Sequence, residues 1–334
     1  MISCIRRFEA SAQATVLAPI GFDDLPHLSR ALQRSTQDDP FSRSAAYFAM
    51  TGRNGLWRFG DDETFMVIAR HPNKPGTILL FPPIGQKTSA LSELAMTIPD
   101  VLPPGNREMA RLNPTDPRFA RLLAKHRTVA SREDTLDWAY PVHVVDPTKI
   151  VERKGKPFVS FRGHINRALR HGLQSQAIDP SRHRDDVIAV IVRWAERRHG
   201  GRFTRSDLIG PTHAVLEMIN RSGLDIRGSI SHDCDGKPIG FWLWEQVGNT
   251  AMSLVRAYLK QPGNAEFGIL AMAEQLTATG VPEMCLGGSE TSDLDAFKRK
   301  MQPIRSIALG TAMIDVPQPL AVPSVHGPMA LARG

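Results

Sequence analysis

Two α/β units in tandem, each a mixed and mainly antiparallel sheet flanked by helices, are what this sequence predicts. Three observations carry that prediction. The chain has 334 residues, room for about two domains of ordinary size. Its 42% apolar content, with five Trp and 14 Phe, is enough to fill two cores. And one order of elements, helices and then three strands followed by helix and strand in alternation, can be read twice along the chain.

The second half shows the order more clearly. Residues 185–199, "DDVIAVIVRWAERRH", carry Val187, Ile188, Ile191 and Trp194 at helical spacing. A second helix fits "PTHAVLEMINRS". Three strands follow in "DIRGSIS", "PIGFWLWEQ" and "TAMSLVRAY", joined through the hairpin signals "DG" and "GN". A helix from about Glu266 puts Ile269, Met272, Ala273 and Leu276 on one face, and Gly280 and Pro282 stop it. A short strand in "EMCL", a helix over 292–303 and a last strand near "IRSIALG" give the order ααβββαβαβ.

The first half gives much the same order, with one helix before its three strands. A helix around "DDLPHLSRALQR" precedes strands in "GLWRFG", "ETFMVIAR" and "GTILLFP". A helix in "KTSALSELAM", a strand at "REMARL", a helix in "PRFARLLAKH" and a strand in "TLDWAYPV" complete it. No residue-level repeat accompanies the matching order. A hairpin sheet followed by a helix, a further strand and another helix is the layout of an acetyltransferase-type (GNAT-like) fold. The expected division is 1–150 and 151–316, with a Pro- and Gly-rich tail over 317–334.

Composition narrows the function classes. A net charge of +7 and a pI near 9.6 suit a polyanionic partner, although solubility alone accounts for a modest excess. Cys4, Cys234 and Cys285 lie far apart with no C-x-x-C pair, which speaks for a reducing compartment and against a zinc or disulfide framework. The start lacks the apolar core of a signal peptide, and no run approaches the ~18 apolar residues of a membrane span, so a cytoplasmic protein is expected. The eleven His show no metal-ligand spacing, and the scattered Ser and His lend no support to a hydrolase triad.

Charged constellations point to a site. In "SDLDAFKRKMQP", residues 292–303, Ser292 and Asp295 have the form of a capping box and Pro303 ends the helix. Leu294, Phe297 and Met301 form one apolar stripe. Arg299 points away from it, while Lys298 and Lys300 lie on its two borders, where a stem is half buried and the ammonium reaches either water or an anion. In "VERKGKPFVSFRGHINRALRHG", residues 151–172, Ile165, Ala168 and Leu169 share a helix face, leaving Arg162, Arg167 and Arg170 to solvent or a phosphate-rich ligand. The loop "LKQPGNAEFG", with Gln261, Gly263 and Ala265, is a distant echo of the glycine loops that cradle the pyrophosphate of acyl-CoA. Asp137 and Tyr140 in "DWAY", and Glu290 and Asp293 beside Lys298, could serve acid–base work or merely cap and solvate their elements. Phe241, Trp242 and Trp244 are expected to pack in the sheet.

Two segments carry a family resemblance. "DWAYPVHVVDPTKIVERKGKPFVSFRGHINRAL" and "GGSETSDLDAFKRKMQP" together resemble motifs of the lysylphosphatidylglycerol synthase C-terminal family, at the expected separation. The resemblance implies a tandem acetyltransferase-like fold shared with the peptidoglycan-bridge aminoacyl transferases. It also implies transfer of an aminoacyl group from charged tRNA to an amine or hydroxyl; a small molecule, a peptide or a phospholipid head group could serve as acceptor, the lipid being possible but not implied. On that basis Lys298 contacts the tRNA end or stabilises the oxyanion, Arg162 and Asn166 match an Arg–Asn pair, and Asp137 and Tyr140 match the ends of a strand motif. Trp138 and Ala139 depart from that strand motif, and Gly288–Ser289 replace an Asn before Glu290. The family's membrane-embedded portion has no counterpart in these motifs. The implied co-substrate is aminoacyl-tRNA, with no further cofactor and no metal. The alternatives on the same fold are an N-acyltransferase using acyl-CoA and a non-catalytic module that binds RNA or an anionic surface. A tandem fold supplies its own pseudo-dimer, so a monomer is expected.

Overall fold

The computed structural model describes residues 17–34, 39–62, 64–72, 78–81, 84–85, 107–112, 128–131, 139–199 and 208–314. Within them the strands build two seven-stranded sheets. The first has the order β1 (Leu17–Pro19), β2 (Leu56–Gly60), β3 (Phe65–Arg70), β4 (Ile78–Leu80), β5 (Arg107–Leu112), β14 (Gly310–Ile314), β6 (Thr128–Ser131). The second has β13 (Arg305–Ile307), β7 (Val142–Val145), β12 (Glu283–Cys285), β11 (Thr250–Tyr258), β10 (Pro238–Val247), β9 (Ile226–His232), β8 (Gln174–Ala177). Each sheet is antiparallel apart from one parallel pair at the matching place, β4 with β5 and β11 with β12. The duplication expected from element order is therefore present in the hydrogen-bond ladders.

The sheets do not part at residue 150. Strand β7, which begins at the last residue of the strand expected in "TLDWAYPV", lies in the second sheet between β13 and β12. Strand β14 returns to the first sheet and pairs with both β5 and β6. The ladder of β7 begins at Val142, just after Pro141, which has no N–H to donate. The helices expected at 87–96 and 117–126, and the tail at 317–334, fall outside the described residues.

Helices α1 (Leu25–Gln33), α2 (Ala45–Thr51), α5 (Pro180–His199) and α6 (Ile209–Arg221) fill the space between the sheets. They share one core with Val67, Ala69 and Leu79 of the first sheet and Phe241, Leu243, Met252 and Val255 of the second. The opposite face of the second sheet presents Trp242, Trp244, Ala251, Met284 and Val145. It is covered by α3 (Pro147–Glu152), α4 (Val159–Arg170), α7 (Asn264–Ala278) and α8 (Ser292–Arg299). Among the described residues no helix is long and apolar enough to cross a membrane.

A buried carboxylate links the halves. Glu245 on β10 is 2% exposed, and its Oε2 accepts the hydroxyl of Ser44 and the N–H of Ala46 at 3.3 Å. Ser44 is also the N-cap of α2 and accepts the N–H of Tyr47 at 2.8 Å. Burial pushes the Glu245 carboxyl up to about 7, opposed by those two hydrogen bonds.

Candidate active site

Among the described residues the one parallel pair of the second sheet is short. Strands β11 and β12 pair from Thr250–Glu283 to Met252–Cys285, and β11 then runs on to Tyr258 beside β10. The chain beyond Cys285 follows β7 instead. The Leu286 N–H donates to the His143 carbonyl at 2.8 Å, and the Tyr140 N–H to that of Ser289 at 3.0 Å. The two strands thus part after Met252 and Cys285, and four elements bear on the candidate site.

The first is β11. Leu243 opposes Val255 while Trp244 opposes Ser253, so Leu254 is an extra residue in β11, a β-bulge. Before the bulge Met252 faces the core between the sheets; after it Val255 and Ala257 do. The side-chain parity has flipped, and Arg256 lands on the face of Trp242, its guanidinium carbon 4.8 Å from the ring centroid. The Trp242 N–H donates to Ser253 Oγ at 2.9 Å. Tyr258 lies over Gly240 and Gly268, where a Cβ would come within 2.5 and 2.3 Å of the ring. Burial raises its phenol well above the usual range, and its hydroxyl has no hydrogen-bond partner among the described residues.

The second is α8. Thr291 caps it, accepting the Leu294 N–H at 3.3 Å, so the expected Ser292–Asp295 capping box is not formed. Asp295 is instead 4% exposed and accepts the ring N–H of His143 at 2.7 Å and Arg299 Nε at 2.8 Å. His143 Nδ1 then accepts the Ser306 hydroxyl at 2.8 Å. This Ser–His–carboxylate chain ties α8 to β7 and β13.

One turn further on, Lys298 is 1% exposed. Its Nζ donates to the Gly287 carbonyl at 3.2 Å and to that of Gly288. Burial lowers its pKa to about 6; Arg256 adds to the shift and Glu290, Cys285 and Asp295 oppose it. At neutral pH the group is mainly an uncharged amine. The buried residues of α8 are thus Asp295 and Lys298; of the expected stripe, Met301 is buried just beyond the helix, while Leu294 and Phe297 are half-buried, Phe297 packed against the same core.

The third element is the segment 287–290. Gly287 takes φ +69, which glycine adopts without strain. Ser289 is fully buried and its hydroxyl has no partner among the described residues, while Glu290 is exposed.

The fourth is α4, and it bears on the acyl-CoA alternative. Gly263 precedes α7 with φ +77, and a Cβ there would stand 2.1 Å from the His164 carbonyl oxygen. The His164 ring also pairs with Glu266 in the first turn of α7. The helix start that a pyrophosphate would need is therefore covered by backbone and faced by a carboxylate. Gly263→Ala is expected to loosen this junction: the left-handed φ alone costs about 1–2 kcal/mol, and the clash adds to it. Thermal unfolding checks this, and an unchanged Tm would contradict the packing.

The other expected residues fall as follows. Arg162 turns back to donate to the carbonyls of Arg153 and, at 3.0 Å, Gly155, fastening the α3–α4 connection rather than facing a ligand. Asn166, Arg167 and Arg170 lie exposed on α4, with Arg170 Nε on the Asn166 carbonyl at 3.3 Å. Lys300 and Asp293 are exposed, and Tyr140 is half-buried beside Ser289. Asp137 is outside the described residues. Arg256 was not among the candidates. Its signal was a guanidinium in the middle of an apolar strand, hidden because strict alternation puts it on the other face. Among the described residues no cluster of three His, Cys, Asp or Glu could hold a metal.

Comparisons with known proteins bear on the family and the fold. Residues 29–309 match the family described as phosphatidylglycerol lysyltransferase, C-terminal. No curated protein sequence matches the chain. Among solved structures, a conserved protein of unknown function from Bacteroides thetaiotaomicron VPI-5482 is similar, with a TM-score of 0.71 and 16% identity over 90% of this chain and 100% of that one. The C-terminal domain of a putative lysylphosphatidylglycerol synthetase from Agrobacterium fabrum has a TM-score of 0.58 and 15% identity over 88% and 92%. FemX has 0.61 and 10% over 86% and 95%. At these identities the structures share the fold, and the family match covers most of the sequence. The chain is an enzyme of the acyltransferase type and belongs to the family of phosphatidylglycerol lysyltransferase C-terminal domains.

Proposed function

We propose that this protein moves an aminoacyl group from aminoacyl-tRNA to an amine or hydroxyl acceptor, in the cytoplasm and without a further cofactor. The acceptor is a small molecule, a peptide or a phospholipid head group. The observation that carries the reading is the buried amine of Lys298. An uncharged amine has two N–H donors and one lone pair. The carbonyls of Gly287 and Gly288 take the donors, which leaves the lone pair to accept a proton.

The chemistry asks for little more. Aminoacyl-tRNA is an activated ester, so orientation, proton removal and charge stabilisation suffice. The acceptor nitrogen or oxygen attacks the ester carbonyl and gives its proton to Lys298 Nζ. The new ammonium faces the tetrahedral oxyanion. The bond to the ribose oxygen then breaks, and Lys298 returns the proton to that oxygen. Glu290, exposed at the edge of the site, can hold an ammonium of donor or acceptor. Arg167 and Arg170, exposed on α4, suit the tRNA phosphates. The covered start of α7 speaks against acyl-CoA as donor.

Binding of charged tRNA, uncharged tRNA and acetyl-CoA to the purified protein across a salt series, with a labelled amino acid followed to its acceptor, tests this. Salt-sensitive tRNA binding with label transfer is the expected result. Tight acetyl-CoA binding without tRNA binding would overturn it, and equal affinity for any RNA without transfer would leave an RNA-binding module.

A further inference from the structure

Arg256 is placed unlike the paired arginines of the second half, and unlike Arg198, which stands over Trp194 at the exposed end of α5. Arg227 is paired with Asp225 at 2.8 Å, Arg299 with Asp295 at 2.8 Å and Arg305 with Glu283 at 2.7 Å. Arg162 and Arg193 donate to backbone carbonyls, the latter to Pro238 at 2.6 Å. Arg256 has no carboxylate or carbonyl on any of its donors among the described residues. It stands over the Trp242 face, reached because the bulge at Leu254 turns it there. Burial makes the charged form costly, yet a guanidinium does not give up its proton under ordinary conditions. A guanidinium over an aromatic ring, with no protein acceptor for its N–H donors among the described residues, is suited to take an anion.

We propose that Arg256, backed by Trp242, is an anion subsite of the transfer site and takes one negative charge of a substrate, a carboxylate or a phosphodiester. The charge count sets that limit. Lys298 gives its donors to two carbonyls, and burial lowers its pKa to about 6, so it adds little to the positive charge there. Glu290 lies within electrostatic range of both Arg256 and Lys298 and opposes a second negative charge. A phosphomonoester or diphosphate therefore fits less well than a monoanion. The assignment rests on the transfer reading only in naming the anion as part of a substrate.

The test uses the whole protein labelled with 15N, following the indole N–H signals of its five Trp, with Trp242 assigned by Trp242→Phe. N-acetylglycine, dimethyl phosphate and the neutral N-acetylglycine methyl ester are titrated separately. A shift of the Trp242 signal with one or both anions and not with the ester is the expected result. Arg256→Met should weaken that binding at least about tenfold, the loss of one charge-assisted contact. A response to N-acetylglycine alone assigns the subsite to a carboxylate of donor or acceptor; a response to dimethyl phosphate alone assigns it to a phosphodiester of tRNA or lipid. No shift with either anion in the wild type, or equal shifts in Arg256→Met, overturns the proposal; the wild-type titration decides even if the variant misfolds. Neither tRNA nor turnover enters the measurement. A failure here leaves aminoacyl transfer standing, and absent transfer beside intact anion binding removes only the transfer reading.

Discussion

Lys298→Met is expected to lower aminoacyl transfer by about 10²–10⁴, the usual contribution of a positioned proton carrier, while the protein stays folded at pH 7. Two opposing effects make the fold tolerant. Holding a lysine at a pKa of about 6 costs on the order of 5 kcal/mol at pH 7 relative to the unfolded chain, a cost that Met removes. Against this, the Gly287 and Gly288 carbonyls lose their donor, at about 1–3 kcal/mol each. The near balance separates a catalytic defect from a folding defect. Lys298→Ala offers no such separation, because it also leaves a cavity.

The same amine predicts a pH profile. A base must be uncharged to accept a proton, so kcat/KM should rise about tenfold per pH unit below about 6 and level off above it. Stability follows the same titration. The folded pKa lies below the unfolded one, so this group's contribution is least favourable below pH 6 and improves as pH rises towards 10.5. Urea unfolding of wild type and Lys298→Met at pH 6.5 and 9 reads the difference. A parallel response in both proteins would show that Lys298 keeps its proton when buried.

Glu245 predicts the opposite slope. Its folded pKa, about 7, is raised above the unfolded value of 4.5. The stability it contributes is fully present below pH 4.5 and is lost as pH rises through 7, on the order of 3 kcal/mol in all. Glu245→Gln keeps an acceptor for the Ser44 hydroxyl and the Ala46 N–H but cannot ionise. Unfolding at pH 5 and 8 should show wild type losing stability where the variant does not. If both lose the same amount, Glu245 is not the group responsible.

Much of the architecture was legible because it is written in local patterns. The "DG" and "GN" turns flanked by alternating strands became the β9–β10–β11 meander. The apolar spacing of 185–199 and 264–278 became α5 and α7. The site was legible by residue type but not by geometry. Hydrophobic periodicity centred α8 on Leu294 and Phe297 because it reads charged residues as outward. The two buried positions of α8, Asp295 and Lys298, carry titratable side chains. Arg256 escaped for a related reason: one bulge residue reverses the parity that a strand pattern assumes. The Ser306–His143–Asp295 chain joins three distant segments, which no single-sequence spacing connects.

The exchange of β7 and β14 between the sheets has a consequence for how the molecule is made. Residues 310–314 fill the slot between β5 and β6, some 180 positions after the latter has been synthesised. Until they arrive, both neighbouring strands present open edges of the kind that pair with other chains. The N-terminal sheet cannot be finished as it leaves the ribosome, even though its other strands come first. A fragment ending at residue 150 should therefore aggregate, and co-expression with the remainder should rescue it: the order of synthesis is not the order of assembly.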